Sequence, residues 1–238
     1  MTAPTISLTV DGSRIETRPG RTILEAADEA GVYIPRLCWM EGLLPAGGCR
    51  VCTVQVNGRP AAACTQPVAP GMVVENDTAE LRALRRDLID MLFAEGNHFC
   101  MFCPKSGNCE LQALAYRFGI TAPRFPLAFP QRVRDASHPG IVLDRDRCIL
   151  CSRCVRAARE LDGKAVFGFV GRGADKRVAV NAADGLGATD AVVADRAIAA
   201  CPTGALLARE TGFAVPVGRR RFDYAPIGAH SEPGTAED

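Results

Sequence analysis

Strong charge of either sign is missing from this sequence. Its 238 residues carry 28 Lys and Arg against 27 Asp and Glu, a formal net charge of +1. No overall field therefore draws the chain to nucleic acid or to an anionic membrane. Long apolar runs are missing too. Stretches such as Ala191-Val192-Val193-Ala194 fall far short of the roughly 20 residues that span a bilayer. The opening MTAPTISLTVDG lacks the charged-then-apolar layout of a secretory signal, which sets the expectation of a cytoplasmic chain with no membrane span. The catalytic signatures are also absent. GRG at 171–173 is not a full G-x-G-x-x-G, and no P-loop, G-x-S-x-G or H-E-x-x-H occurs, so the usual nucleotide, serine-hydrolase and zinc-protease sites are excluded. Those glycines read as a turn. Arg219-Arg220-Arg221 reads as a solvated charge run or a contact for carboxylates.

Cysteine is what the sequence does have. Eleven in a chain of this length is an odd number without a signal peptide, which argues against a disulfide framework and for metal binding. A composition of 47% hydrophobic and 23% charged residues is that of an ordinary globular protein. The length allows two or three small domains.

The pattern along the chain predicts a hairpin over 5–19 turning at Asp11-Gly12, and a helix after Thr22 with a capping box to Glu25 and a stop at Gly31. Short strands are predicted at 52–56, 62–64 and 72–74, with a turn at Asn57-Gly58. A second helix is predicted over 78–95, its apolar stripe formed by Leu81, Leu84, Leu88, Met91 and Leu92. After it come a cysteine loop at 97–109, a short helix at 110–118 and a proline-rich connector at 121–140. The remainder reads as a strand at 141–143, a helix at 155–161, strands at 166–170 and 178–180, and a helix over 191–200. The predicted boundaries are 1–77, 78–120, the connector 121–140, 141–212, and an extended tail 213–238. The class is α+β.

The cysteines fall into three groups. Cys38, Cys49, Cys52 and Cys64 are separated by 10, 2 and 11 residues. Four thiolates suit a binuclear iron–sulfur cluster, and Gly47-Gly48 would let backbone N–H groups approach the sulfurs. Plant-type ferredoxins separate the first two cysteines by four residues, so the ten here are a departure. A four-cysteine zinc site is the alternative, although zinc ribbons prefer two close pairs and only one exists. Cys100, Cys103 and Cys109, separated by 2 and 5 residues, leave a four-iron cluster one ligand short. His98 is the nearby imidazole and could complete it, as histidines do in Rieske centres; the alternatives are that His98 merely lies in the loop, or that the site is open to water or a thiolate from elsewhere. Cys148, Cys151 and Cys154 form a compact triple, and Cys201-Pro202 follows 46 residues later. One triple of this kind implies one cube, which Cys201 should close. Four, three and four use all eleven cysteines. Redox centres without a substrate pocket imply a relay with no catalytic residues of its own. Trp39 beside Cys38 reads as packing around the first loop.

Taken together, the first group's spacing, NHFCMFCPKSGNCELQ and the ferredoxin-like triple resemble the N-terminal electron-transfer region of the large iron–sulfur subunit of respiratory complex I and of iron-only hydrogenases. LFAEGNH, SGNCELQ and GFAVPVGRRRFD are most similar to the small diaphorase subunit of NAD-reducing nickel–iron hydrogenases. The resemblance covers about residues 5–210. It implies a β-grasp [2Fe-2S] ferredoxin domain, a small helical domain with a His/Cys3 [4Fe-4S] cluster, and a ferredoxin-like [4Fe-4S] domain. It further implies a flavoprotein diaphorase partner holding FMN and NAD, and hydrogenase small and large subunits as the other partners. Two differences stand out. The complex I pattern puts its histidine where Gly96 stands here, and this chain stops at Asp238, which sets the expectation of a separate relay subunit. Other readings are the same relay in an NAD-dependent formate dehydrogenase or a complex I-like assembly, a redox sensor, and a zinc-stabilised interaction module.

Overall fold

The computed structural model describes residues 5–209 and 215–223. Two compact units emerge. One comprises residues up to Trp39 with Pro45–Leu88, the other Met40–Leu44 with everything from Ile89 onward.

The first unit is a five-stranded sheet carrying one helix. β1 (Ile6–Val10) and β2 (Ser13–Thr17) pair antiparallel, with Ile6 opposite Thr17 and Val10 opposite Ser13. Asp11 and Gly12 make the turn with φ of 48° and 80°. This doubly left-handed turn matches strand twist, and Asp-Gly tolerates it best. α1 (Ile23–Glu29) begins at Thr22 with both halves of its capping box formed, and buries Ile23, Leu24, Ala26 and Ala27. β3 (Thr53–Val56), β4 (Arg59–Ala62) and β5 (Val73–Glu75) complete the sheet in the order β2-β1-β5-β3-β4. β5 runs parallel to β1, Thr9 facing Val73. β4 was expected at 62–64 but ends at Ala62. The Asn57-Gly58 turn fixes a tight register with β3, Thr53 opposite Ala62, and so starts β4 at Arg59. Leu8, Val10, Ile15, Ile23, Leu24, Ile34, Val54 and Val74 form the core, and Cys52 and Cys64 are part of it.

α2 (Ala79–Glu95) belongs to the first unit through Leu88 and to the second from Ile89. Its buried positions are Leu81, Arg85, Ile89, Asp90 and Ala94, whereas Leu84 and Met91 are exposed. The expected stripe is thus rotated, because Arg85 enters the interior. Its guanidinium donates to the carbonyls of Val51 (3.1 Å), Thr53 (2.8 Å) and Asn76 (2.7 Å) and to Asn76 Oδ1 (2.8 Å).

In the second unit, α3 (Glu110–Arg117) follows the second cysteine loop and α4 (Arg153–Glu160) follows the triple. β6 (Ile141–Leu143) pairs antiparallel with β9 (Leu206–Ala208), and β7 (Phe167–Val170) with β8 (Arg177–Val180). Gly171 and Gly173 sit in the connection between β7 and β8 at positive φ, the turn that GRG suggested. The helix expected over 191–200 is only α5 (Arg196–Ala199). Asp195 and Val192 close a turn on each other ahead of it, and Asp162 accepts from the N–H groups of Arg196 and Ala197. The helix therefore starts where Asp162 can cap it. β9 has no period of its own to announce it. The described part of the expected tail, 215–223, turns back on the second loop. The Phe222 N–H donates to Gly107 O and the Arg221 N–H to Asn108 Oδ1, and the Phe222 side chain is buried. The rest of that tail lies outside the described residues.

Candidate metal centres

The first four cysteines lie in the first unit. Cys38, Cys52 and Cys64 are buried and Cys49 is half-buried. The Cys38 N–H donates to Cys49 Sγ at 3.4 Å. The thiols share protons: hydrogen bonds from Cys49 and Cys64 pull Cys38 down, while the same contacts and then burial push Cys49 and Cys64 up. Cys52 falls to about 7 through its hydrogen bond with Cys64. Mutual contact of this kind is what a shared thiolate-binding centre requires. Gly47 at φ +64° lets the loop pass Thr65, whose Cγ2 would lie 3.1 Å from a Cβ there. Trp39 packs against this core with the Arg36 guanidinium 4.9 Å over its ring, as packing around the loop requires.

The second group is held by a single turn of 3-10 helix at Cys100–Phe102 and by the start of α3. Cys109 caps that helix, its Sγ accepting from the Gln112 N–H at 3.5 Å. Burial pushes Cys109 up to about 12 and also raises Cys100. His98 fits as a fourth ligand. Its Nε2 is buried with no hydrogen-bond partner. Burial, then the charge of Arg147, lowers its pKa to about 4, and a hydrogen bond to the Leu92 backbone opposes this only in part. The ring is therefore neutral, tied to backbone on one side and offering a lone pair on the other, which is how metal-bound histidines are held. Phe93 packs edge-on against it, centroids 5.3 Å apart. At position 96 a Cβ would come 2.6 Å from Nε2, so the ring of His98 occupies the space beside Gly96.

The third loop follows a second 3-10 turn, Arg145–Arg147. Leu150 and Ser152 adopt positive φ, 52° and 62°, which curls the chain so that Cys148, Cys151 and Cys154 lie on one tight loop running into α4. Burial raises all three thiols, Cys148 to about 11 and Cys151 to about 12. Cys201 is buried at the end of α5 with Thr203 Oγ1 3.7 Å from its Sγ, and that hydroxyl donates to Arg147 O at 2.9 Å. The remote cysteine is thereby tied to the residue preceding Cys148.

The second and third groups are also linked directly. The Glu110 N–H, next to Cys109, donates to the carbonyl of Pro202, next to Cys201, at 3.0 Å. Arg153, next to Cys154, forms a two-pronged pair with Glu110 at 2.9 and 2.7 Å. Burial would raise the Glu110 carboxyl, but Arg153, with Arg221 and Lys105, holds it below its ordinary value. Arg147 Nη1 donates to Cys103 Sγ at 3.5 Å, and a Cβ on Gly204 would meet that sulfur at 2.7 Å. Arg147, Arg153 and Gly204 were not singled out from the sequence, although each stands within three residues of a cysteine in the triple or in Cys-Pro. Arg220 and Arg221 pair within the chain, with Asp223 and Glu110. No described helix is long and apolar enough to cross a membrane.

Three family models match in order: a 2Fe-2S iron–sulfur cluster binding domain over 3–79, an NADH-ubiquinone oxidoreductase-G iron–sulfur binding region over 85–124, and the ferredoxin-like domain of NADH-quinone oxidoreductase subunit 3 over 138–207. The gamma subunit of the NAD-reducing hydrogenase HoxS of Cupriavidus necator is 42% identical over 96% of this chain and 98% of its own length. The mitochondrial 78 kDa subunit of NADH-ubiquinone oxidoreductase of Neurospora crassa is 34% identical over 87% of this chain, which spans only 28% of that protein. A crystal structure of an NAD+-reducing [NiFe]-hydrogenase in the H2-reduced state contains a chain 47% identical, with a TM-score of 0.90, covering 95% of this chain and 97% of that one. The chain belongs to the iron–sulfur gamma-subunit family of the NAD-reducing hydrogenases, itself related to the iron–sulfur subunit of complex I.

Proposed function

We propose that this protein is the electron-relay subunit of a cytoplasmic NAD-reducing hydrogenase, a non-catalytic part of a hydrogen:NAD+ oxidoreductase. Its partners in this reading are a flavoprotein diaphorase subunit with FMN and NAD, and the hydrogenase small and large subunits. The observation that carries it is the 42% identity to a hydrogenase gamma subunit across nearly the full length of both chains. A relative matched over a minor part of its length does not carry a role so closely.

Within that role the chain holds one [2Fe-2S] cluster through Cys38, Cys49, Cys52 and Cys64. It holds one [4Fe-4S] cluster through His98, Cys100, Cys103 and Cys109, and another through Cys148, Cys151, Cys154 and Cys201. Residues 1–77, 78–120 and 141–212 are the three cluster-bearing regions. Such clusters supply one-electron carriers whose potential follows ligand type, hydrogen bonds to sulfur and burial. The protein's part is to bury the sulfurs, to keep His98 neutral with Nε2 free, and to tie the Cys201 turn to the loop of the triple. The unpartnered Nε2 of His98 and the contact among the first four thiols support these ligand sets.

The test is purification of the tagged chain from its host without oxygen, followed by metal analysis of the complex that comes with it. Iron with nickel is the expected result. Iron with molybdenum or tungsten would move the relay to a formate dehydrogenase, iron alone would leave a free carrier or sensor, and zinc instead of iron would overturn the electron-transfer reading.

A further inference from the structure

Arg147 belongs by sequence to the third cysteine group and by contact to the second. It immediately precedes Cys148, and its carbonyl accepts from Thr203, whose hydroxyl also lies against Cys201. Its guanidinium reaches across to donate from Nη1 to Cys103 Sγ at 3.5 Å. Asp144 takes the Nε side at 3.3 Å, which leaves the terminal N–H groups turned toward the sulfur. The side chain is largely enclosed, 21% exposed, so water screens the contact only weakly. Gly204 keeps the space open, since a Cβ there would lie 2.7 Å from Cys103 Sγ and 3.5 Å from Arg147 Cδ. Arg147 also acts electrostatically on His98 and Cys100, the other side of the same loop.

We infer that Arg147 is a positioning residue that sets the reduction potential of the centre held by His98, Cys100, Cys103 and Cys109, raising it relative to the neighbouring centre held by Cys148, Cys151, Cys154 and Cys201. This rests on the ligand reading proposed above. Reduction adds one electron and one negative charge to the centre, and no proton or bond is exchanged. A cation donating a hydrogen bond to a ligand sulfur favours the reduced form, because it interacts more strongly with the state of greater negative charge. The backbone of Arg147 is anchored in the third loop, so the distance of its charge from the second centre is fixed by the third loop's own geometry. Arg147 thus contributes a bias toward holding the electron on the second centre.

The test is a stepwise reduction of the full-length protein, prepared without oxygen and followed by electron paramagnetic resonance, for wild type, Arg147→Met and Arg147→Lys. Arg147→Met is expected to make the second centre at least tenfold harder to reduce at a fixed solution potential, which is a downward shift of about 59 mV or more for one electron. The third centre should move less, and Arg147→Lys should recover part of the shift. An unchanged second centre in Arg147→Met, or equal shifts in both, overturns the inference. Should Arg147→Met fail to hold its iron, Arg147→Lys carries the test: a smaller downward shift of the second centre is expected, and none overturns it. Cys103→Ala separates the two failures. If it retains the second centre's signal, the ligand reading itself falls; if it loses that signal while Arg147→Met leaves the potential in place, only the role of Arg147 falls.

Discussion

His98 shows how far a single side chain can be argued. The sequence offers it as the imidazole nearest to a three-cysteine group, and proximity in sequence is weak support for ligation. The fold adds a buried Nε2 without a partner and a pKa lowered to about 4, chiefly by burial. An unsatisfied buried nitrogen costs about 1–3 kcal/mol, a cost that a bond to iron would remove. His98→Ala should therefore alter the spectrum of the second centre and leave those of the first and third in place. Electron paramagnetic resonance of the reduced protein checks it, and an unchanged second signal would take His98 off the ligand list. The cysteines and this histidine could be proposed as ligands from spacing because most candidates of one group lie close in sequence. Arg147 and Gly204 could not be read that way. They meet Cys103 from 44 and 101 positions further along the chain, and nothing local marks a residue that acts at such a separation.

Elements with strong local rules came out as the sequence implied. Asp11-Gly12, Asn57-Gly58 and the Thr22–Glu25 box all formed, since a turn or cap is decided by the residues within it. Elements fixed by tertiary partners did not. β9 exists because Ile141–Leu143 offers it an edge, and α5 is short because Asp162 caps it at Arg196. α2 is the clearest case. Its leucines suggested one face, yet Arg85 brings its own face inward by satisfying three carbonyls, two of which flank Cys52. A buried guanidinium without full hydrogen bonding would be very costly. Here it has four bonds, though burial still lowers its pKa to about 10. Arg85→Ala would leave the carbonyls of Val51, Thr53 and Asn76 unpaired and open a cavity. The expected loss is about 3 kcal/mol or more, measured by denaturant unfolding of the loaded protein. A loss under about 1 kcal/mol would show that water replaces the guanidinium freely.

At the scale of the whole chain, the candidate cluster ligands are built into the fold of the second unit. Cys148, Cys154 and Cys201 pack in or against the core built from Ile141, Leu143, Val155, Phe167, Ile198 and Leu206. Cys201 stands between α5 and β9, and β9 pairs with β6, the strand that leads into the loop of the triple. A centre ligated by all four cysteines would therefore staple two chain segments separated by 46 residues. Binding energy at such a site is folding energy, because the unfolded chain does not hold the ligands together. The hydrogen bonds from Thr203 to Arg147 and from Glu110 to Pro202 hold the same junction, so the fold prepares a site that a bound cluster would fix. Cys201→Ala tests whether site and fold depend on each other. The variant should lose roughly four of about ten iron atoms, the content of one cube among three clusters, while the signal of the first group persists. Its β6–β9 pair should also open more readily, seen as faster amide exchange at 141–143 and 206–208 in the variant than in the wild-type protein. Full iron with all three signals would take Cys201 out of the ligand set. Loss of iron with unchanged exchange would mean that the protein core alone holds the junction, and that the cluster is a passenger in a site already rigid.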